Sequence, residues 1–304
     1  MSAENIEANQ EKFVGEHAQK YDNESSFQLG REISRKVLEY PNPSAPAAGS
    51  PEALEVAKAQ SGSGAFDDTV SAFWDPRTTR VLDFACGTGI ISAYLAAYSK
   101  QVVGVDIAKD MLDIFNAKVH NQGIPSDEVQ GYLLNIFDDE DVAKGNKIVP
   151  GGLDNFDAAV TSLAYHHIDD IDQASRALFA RLRSGGWVYV VDLSMGPGFK
   201  PSAEKDAVVP HHGGFAPETI GNSLRDAGFV DVKEKNIFAA SLWATEEYIS
   251  RFQKHHTTSL TGNDDETKDY KELHGMRIYD EKVEKGVTKY LVKKPMLLVV
   301  GKRP

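Results

Sequence analysis

Between residues 80 and 238, short apolar runs alternate with amphipathic stretches, the pattern of strands joined by crossover helices. Strands are expected at 80–84, 101–105, 131–134, 156–161 and 187–193, with helices near 90–99, 109–121, 138–144 and 170–183. The last of these helices carries the stripe Ile171, Ala174, Leu178 and Leu182, and Ser184-Gly185-Gly186 reads as its stop and turn. A helix over 216–227 follows, with Pro217 in its first turn and Gly228 at its end. A sixth strand is expected at 230–238 and a seventh at 295–300. The insertion between them, about 239–292, is polar and helix-prone, and its Trp243, Tyr248 and Phe252 suit one helix face packing on the core or roofing a substrate pocket. Upstream, Phe13, Val14, Tyr21, Phe27, Leu29, Ile33, Val37 and Leu38 fall at loose helical spacing. Four prolines between 41 and 51 and the run SGSG at 61–64 then mark a linker.

The expected fold is therefore α/β, a doubly wound Rossmann-like sheet of seven strands, mostly parallel with an antiparallel last strand. N-terminal helices and a helical insertion complete it. Three regions are expected: a helical lid at 1–40, a linker and lead-in helix at 41–79, and the main domain at 80–304.

Composition narrows the partners. The 304 residues are 41% hydrophobic and 26% charged, with a net charge of -12 that repels phosphate backbones, so neither nucleic acid nor membrane is an expected partner. Cys86 alone excludes an intramolecular disulfide or a multi-cysteine metal site, and the chain lacks a signal core and an 18-residue apolar run, which points to a cytoplasmic protein.

The chemistry concentrates in RVLDFACGTGIISAYLA, where an apolar strand enters a glycine turn and then a helix. Such a turn lets backbone approach a ligand closely and directs amides at it. Seventeen residues after Gly89, the next strand ends at Asp106, placed to accept hydrogen bonds from both ribose hydroxyls. A dinucleotide oxidoreductase would carry a third glycine at 92, where Ser92 stands.

Asp83-Phe84-Ala85-Cys86-Gly87-Thr88-Gly89 resembles the first motif of the class I S-adenosylmethionine-dependent methyltransferases, with Ala85 in place of the first glycine, a change suited to a turn of negative φ. The resemblance covers 80–238 and 295–302, and extends to NFDAAVTSLAYHHIDD and RLRSGGWVYVVDL. It implies S-adenosyl-L-methionine as cofactor and a small-molecule substrate of the fungal-type group. It also implies that Ala85, Gly87 and Gly89 border the methionine part, Asp83 supports the loop, and Asp106 holds the ribose. Ile107 and Met111 would border the adenine, Asn135, followed by Ile136, would accept from its amino group, and Ser162 would face the methionine. Tyr21-Asp22 resembles the element that closes over the cofactor in many small-molecule members, with the Tyr21 hydroxyl on the methionine carboxylate.

Methyl transfer to a proton-bearing acceptor needs a base, and histidine suits neutral pH. The pairs His166-His167, after the fourth strand, and His211-His212, before Pro217, both fall where strands end at their carboxyl edge. All four are candidates, with no metal ligand set at helical spacing. The expected function is methyl transfer to a small molecule at O, N or C. A protein lysine or carboxylate methyltransferase and a catalytically silent cofactor-binding regulator are the alternatives.

Overall fold

The computed structural model of the chain describes residues 1–40, 70–195, 207–211, 213–250, 271–274, 276–284 and 286–304. The chain opens with α1 (Ala3–Lys12), and divides into two compact units, Phe13–Val160 and a second made of Met1–Lys12 with Thr161–Pro304.

The 13–160 unit begins with α2 (Gly15–Tyr21) and α3 (Glu24–Glu39), the latter capped by Asn23, whose side chain accepts from the Ser26 amide at 3.1 Å. Its strands are β1 (Arg80–Phe84), β2 (Gln101–Asp106), β3 (Val129–Leu133) and most of β4 (Phe156–Ser162). They run parallel in the order β3-β2-β1-β4, with Val81 beside Val102 on one flank and Ala158 on the other. Val81, Leu82, Val102, Val103 and Val105 are essentially unexposed, as a sheet covered on both faces requires. The covering helices are α4 (Ile90–Leu95), α5 (Lys109–Asn121) and α6 (Asp139–Ile148). Phe115 of α5 sits in a seat made of glycines: a Cβ on Gly89, Gly104 or Gly131 would meet its ring at 2.5 to 2.8 Å.

In the other unit, β5 (Leu182–Leu193) and β6 (Val230–Thr245) flank β10 (Val287–Lys302), which is antiparallel to both. The helices α7 (Ile171–Arg181) and α8 (Thr219–Asp226) belong to this unit. The α/β class and the antiparallel last strand are as expected, and all seven expected strands form.

Three expectations are corrected. Ser184-Gly185-Gly186 is not a helix stop, because α7 ends at Arg181 and the segment belongs to β5. The Gly185 amide donates to the Arg303 carbonyl and the Arg303 amide to that of Gly186, each at 2.8 Å, which draws the glycines into the ladder. Pro217 lies ahead of α8, whose first turn starts at Thr219 because Glu218 before it stands at φ +65°, outside the right-handed helical region.

The insertion is largely strand in its described part. The β6–β10 ribbon pairs out to Lys289 and Thr245, β9 (Asp280–Glu284) joins β10 as an eighth strand, and β7 (Lys271–Leu273) pairs with β8 (Met276–Ile278). Only α9 (Glu246–Ser250) is helical there. Ala244, Ile249, Met276, Ile278 and Val292 form a small core of their own, and that packing overrides local helix preference. Phe252, His255 and His256 lie outside the described residues, as do 41–69, which hold most of the expected linker and lead-in helix. Finally, α1 is a helix the hydrophobic pattern did not announce, since its buried residues are Asn5 and Asn9.

Candidate functional site

The glycine loop is shaped by two carboxylates, one buried and one half-buried. Asp83, in β1, accepts a 2.6 Å hydrogen bond from the Ser92 hydroxyl, so the residue that breaks the dinucleotide pattern is the partner of the motif's acid. Burial pushes the Asp83 carboxyl up to about 7, against the opposing effect of that hydrogen bond. Asp106, at the end of β2, accepts from the Gly87 amide through one oxygen and from the Ala108 amide through the other, both at 2.8 Å. Burial raises its pKa as well, and the backbone amides of Ala108 and Gly87 oppose the rise.

The loop's backbone differs from expectation at one point. Ala85 is held at φ +55°, in the left-handed region where an alanine is strained, not at the negative φ expected. The turn is forced from both sides, because the Cys86 amide donates back to Val105 at 3.2 Å while the Gly87 amide reaches Asp106. Gly87 at +53° and Gly89 at +78° take the same region without strain. The Cys86 thiol is buried, which pushes its pKa well up and leaves it a space-filler.

The Tyr21-Asp22 element reaches this loop directly. Asp22 accepts from the Thr88 hydroxyl at 2.5 Å and pairs with Lys118 of α5 at 2.7 Å, tying the α2–α3 junction to both the loop and the helix beyond it. Tyr21 packs with Phe13 on Ala18, Ala108 and Met111. Ile107 is half-buried, and Ile136 is buried after β3. Asn135 donates its amide to Asp141 at 2.8 Å, and its side-chain oxygen accepts from the Phe137 amide at 3.0 Å, one of two lone pairs being used. Ser162 ends β4, half-buried, in the other unit.

That other unit gathers His166, His167 and His211. His166 and His167 form a short turn after β4, their rings 4.3 Å apart. His166 Nδ1 lies 2.7 Å from Oδ1 of Asp192, and its amide donates to Oδ2 at 3.2 Å. Asp192 is fully buried near the end of β5 and also accepts from the Leu193 amide at 2.7 Å. A carboxylate here only accepts, so Nδ1 carries a proton. His167 Nδ1 lies 2.7 Å from the Val208 carbonyl.

The His211 amide donates to the His166 carbonyl at 3.3 Å, and its ring stacks on Phe215 at 4.8 Å. Its Nε2 is buried with no partner among the described residues, and burial lowers its pKa. Gly214 allows this approach, since a Cβ there would strike the Leu193 carbonyl at 2.2 Å. His212 lies outside the described residues. Sequence reasoning missed Asp192, although an acid closing the apolar run Val188–Val191 is the same signal that marked Asp106.

A family described as a methyltransferase domain matches residues 82–190. An uncharacterized methyltransferase of Schizosaccharomyces pombe is 32% identical over 281 residues, 88% of this chain and 91% of that protein. The chain belongs to the class I S-adenosylmethionine-dependent methyltransferases. An S-adenosyl-L-methionine-dependent Diels-Alderase of Talaromyces variabilis is 24% identical over 53% of this chain and 56% of its own. A putative methyltransferase of Bacillus halodurans, known as a crystal structure, is 17% identical with a TM-score of 0.48, covering 83% of this chain and 99% of that one.

This methyltransferase is thus an enzyme with S-adenosylmethionine as its methyl donor, and the residues present fit that cofactor. The half-buried Asp106 carboxylate offers four lone pairs, not all taken by the backbone amides of Gly87, Ala108 and Ile107, and so keeps acceptor capacity for a ribose hydroxyl. Gly87 and Gly89 carry no side chains at two positions of the loop, and Met111 and Ile136 supply apolar surface. Among the described residues, no helix is long and apolar enough to cross a membrane.

Proposed function

We propose that this methyltransferase acts on a small-molecule acceptor bearing a proton on O, N or C, with His166 as general base. The observation that supports this most directly is the 2.7 Å bond from His166 Nδ1 to the fully buried Asp192. It fixes the tautomer that leaves Nε2 basic, and the carboxylate stabilises the imidazolium formed when Nε2 takes the acceptor's proton. When bound, S-adenosylmethionine would supply the electrophilic methyl group that the acceptor atom takes. His211 is retained as a further candidate, its Nε2 being buried with no partner among the described residues. His167, with Nδ1 engaged at Val208, supports the turn, and His212 is retained as a further candidate.

On the cofactor side, Asp106 holds the ribose and Ile107, Met111 and Ile136 border the adenine, with Asn135 accepting from its amino group. Ala85, Gly87 and Gly89 pass along the methionine part, faced by Ser162. Asp83 supports the loop, and the Tyr21 hydroxyl meets the methionine carboxylate. The region 1–40 acts as a lid and 41–79 as its linker.

The test is S-adenosylhomocysteine release with a panel of phenols, amines and enolisable carbonyls. His166→Gln and Asp192→Asn should each lower turnover about 10²- to 10⁴-fold without altering S-adenosylhomocysteine affinity. Turnover of His166→Gln equal to that of the unaltered enzyme would remove His166 as the base.

A further inference from the structure

We infer that α1 positions the His166–Asp192 pair, and that Asn5 and Asn9 are positioning residues. The inference rests on the reading of His166 as base.

The two asparagines lie one helical turn apart on the same face, 2% and 5% exposed. Asn5 Nδ2 donates to the His167 carbonyl at 2.9 Å and to the Ala207 carbonyl at 2.6 Å, while its oxygen accepts from the Asp169 amide at 3.4 Å. One side chain thereby joins the histidine turn to the segment leading to His211. Asn9 Nδ2 donates to the Asn5 carbonyl at 2.8 Å and to that of His167 at 3.3 Å. The His167 carbonyl thus receives two amide donors from α1. The Ser2 amide adds a bond of 3.0 Å to the Asp169 carboxylate, one residue beyond Ile168.

His166 is consequently fixed on both sides. On the amino side, its own amide and ring hold Asp192. On the carboxyl side, the next carbonyl along the chain is pinned by the asparagines. Leucine on this face would dock the helix through apolar burial but would strand the His167 and Ala207 carbonyls. The face is also not chosen for stability alone, because Asn9 Oδ1 is buried with no partner among the described residues. An orphan acceptor of this kind costs about 1–3 kcal/mol. An arrangement that accepts such a cost while directing two donors at one carbonyl orients that carbonyl and the ring beside it.

The measurement is ¹⁵N NMR of the histidine rings in the full chain, with His166 assigned through His166→Gln, alongside calorimetric titration with S-adenosylhomocysteine. Unaltered protein should show His166 protonated at Nδ1. Asn5→Ala, Asn9→Ala and the isosteric Asn5→Asp, which removes the donor, should each turn that signal into a mixture of tautomers. Amide exchange over 165–169 should rise about tenfold, with S-adenosylhomocysteine affinity kept within about twofold.

An unchanged tautomer and exchange rate in all three variants would overturn the positioning role while leaving the base assignment intact. Absence of the Nδ1-protonated form in the unaltered protein would instead overturn the base assignment. Loss of S-adenosylhomocysteine binding in all three variants would assign the asparagines to folding and also overturn the positioning role.

Discussion

In the 13–160 unit, Asp83 and Asp106 reach partners 9 and 19 residues away, whereas the His166 ring reaches 26 residues and the His167 carbonyl is met from 162 residues away. Apart from Asp22, which meets Thr88 from 66 residues away, the glycine loop is a local object, shaped by two strands and the turns that leave them. The histidine cluster is assembled from four separate segments: α1, the turn after β4, the end of β5 and the 207–215 stretch. Local wiring survives changes elsewhere in the chain, and its residues can be read in one motif. Remote wiring depends on loop closure and is sensitive to substitutions far along the sequence.

The sharpest way to break this contrast is Asp106→Ala. It removes the acceptor of two loop amides and of the proposed ribose contact, and should weaken S-adenosylhomocysteine binding about 100-fold or more by calorimetry. The His166 ring tautomer should be unaffected, and a shifted tautomer would show that the two sites are not independently wired.

Next in size is Asp83→Asn, judged by urea unfolding across pH. The Asp83 carboxyl titrates at about 7 in the folded protein, above its unfolded value near 4, so it binds more protons folded than unfolded between those limits. Its contribution to stability is complete below pH 4, declines as pH rises through 7, and is flat beyond. The stability of Asp83→Asn relative to the unaltered protein should therefore climb between pH 4 and 7, by on the order of 2–4 kcal/mol. A pH-independent difference would mean that Asp83 stays ionised in its buried place beside Ser92.

The smallest effect expected is from Ala85→Gly. Relieving a residue at φ +55° should add about 1 kcal/mol to unfolding stability, with cofactor affinity unchanged. A destabilised variant would place the strain of the loop elsewhere.

The parallel strands, α5 and the glycine loop were legible because each rests on periodicity or spacing within a short window. Ser92 looked like a missing glycine, and only the fold shows its hydroxyl serving Asp83. The glycines at 104 and 131 carried no message in the sequence, since the Phe115 ring that needs them belongs to a helix between their strands. The extension of β6 and β10 into the insertion was not legible, because Trp243-Ala244-Thr245 opens a helix-prone stretch of which only Glu246–Ser250 turns helical, while Ala244 is recruited by Met276, Ile278 and Val292 from across the insertion. Asp192 and Asn5 escaped for a shared reason: a polar residue declares its role through the partner it meets, and these partners are distant in the chain.

The attachment of α1 by asparagine side chains, with little apolar surface involved, also sets how it responds to temperature. Burial of apolar groups carries a large heat-capacity change and weakens on cooling, while hydrogen bonds between amides and carbonyls are enthalpic and carry little of it. Undocking α1 should therefore be endothermic with a small heat-capacity increment. Cooling should tighten this helix over the histidine turn even as it loosens the valine-rich sheet.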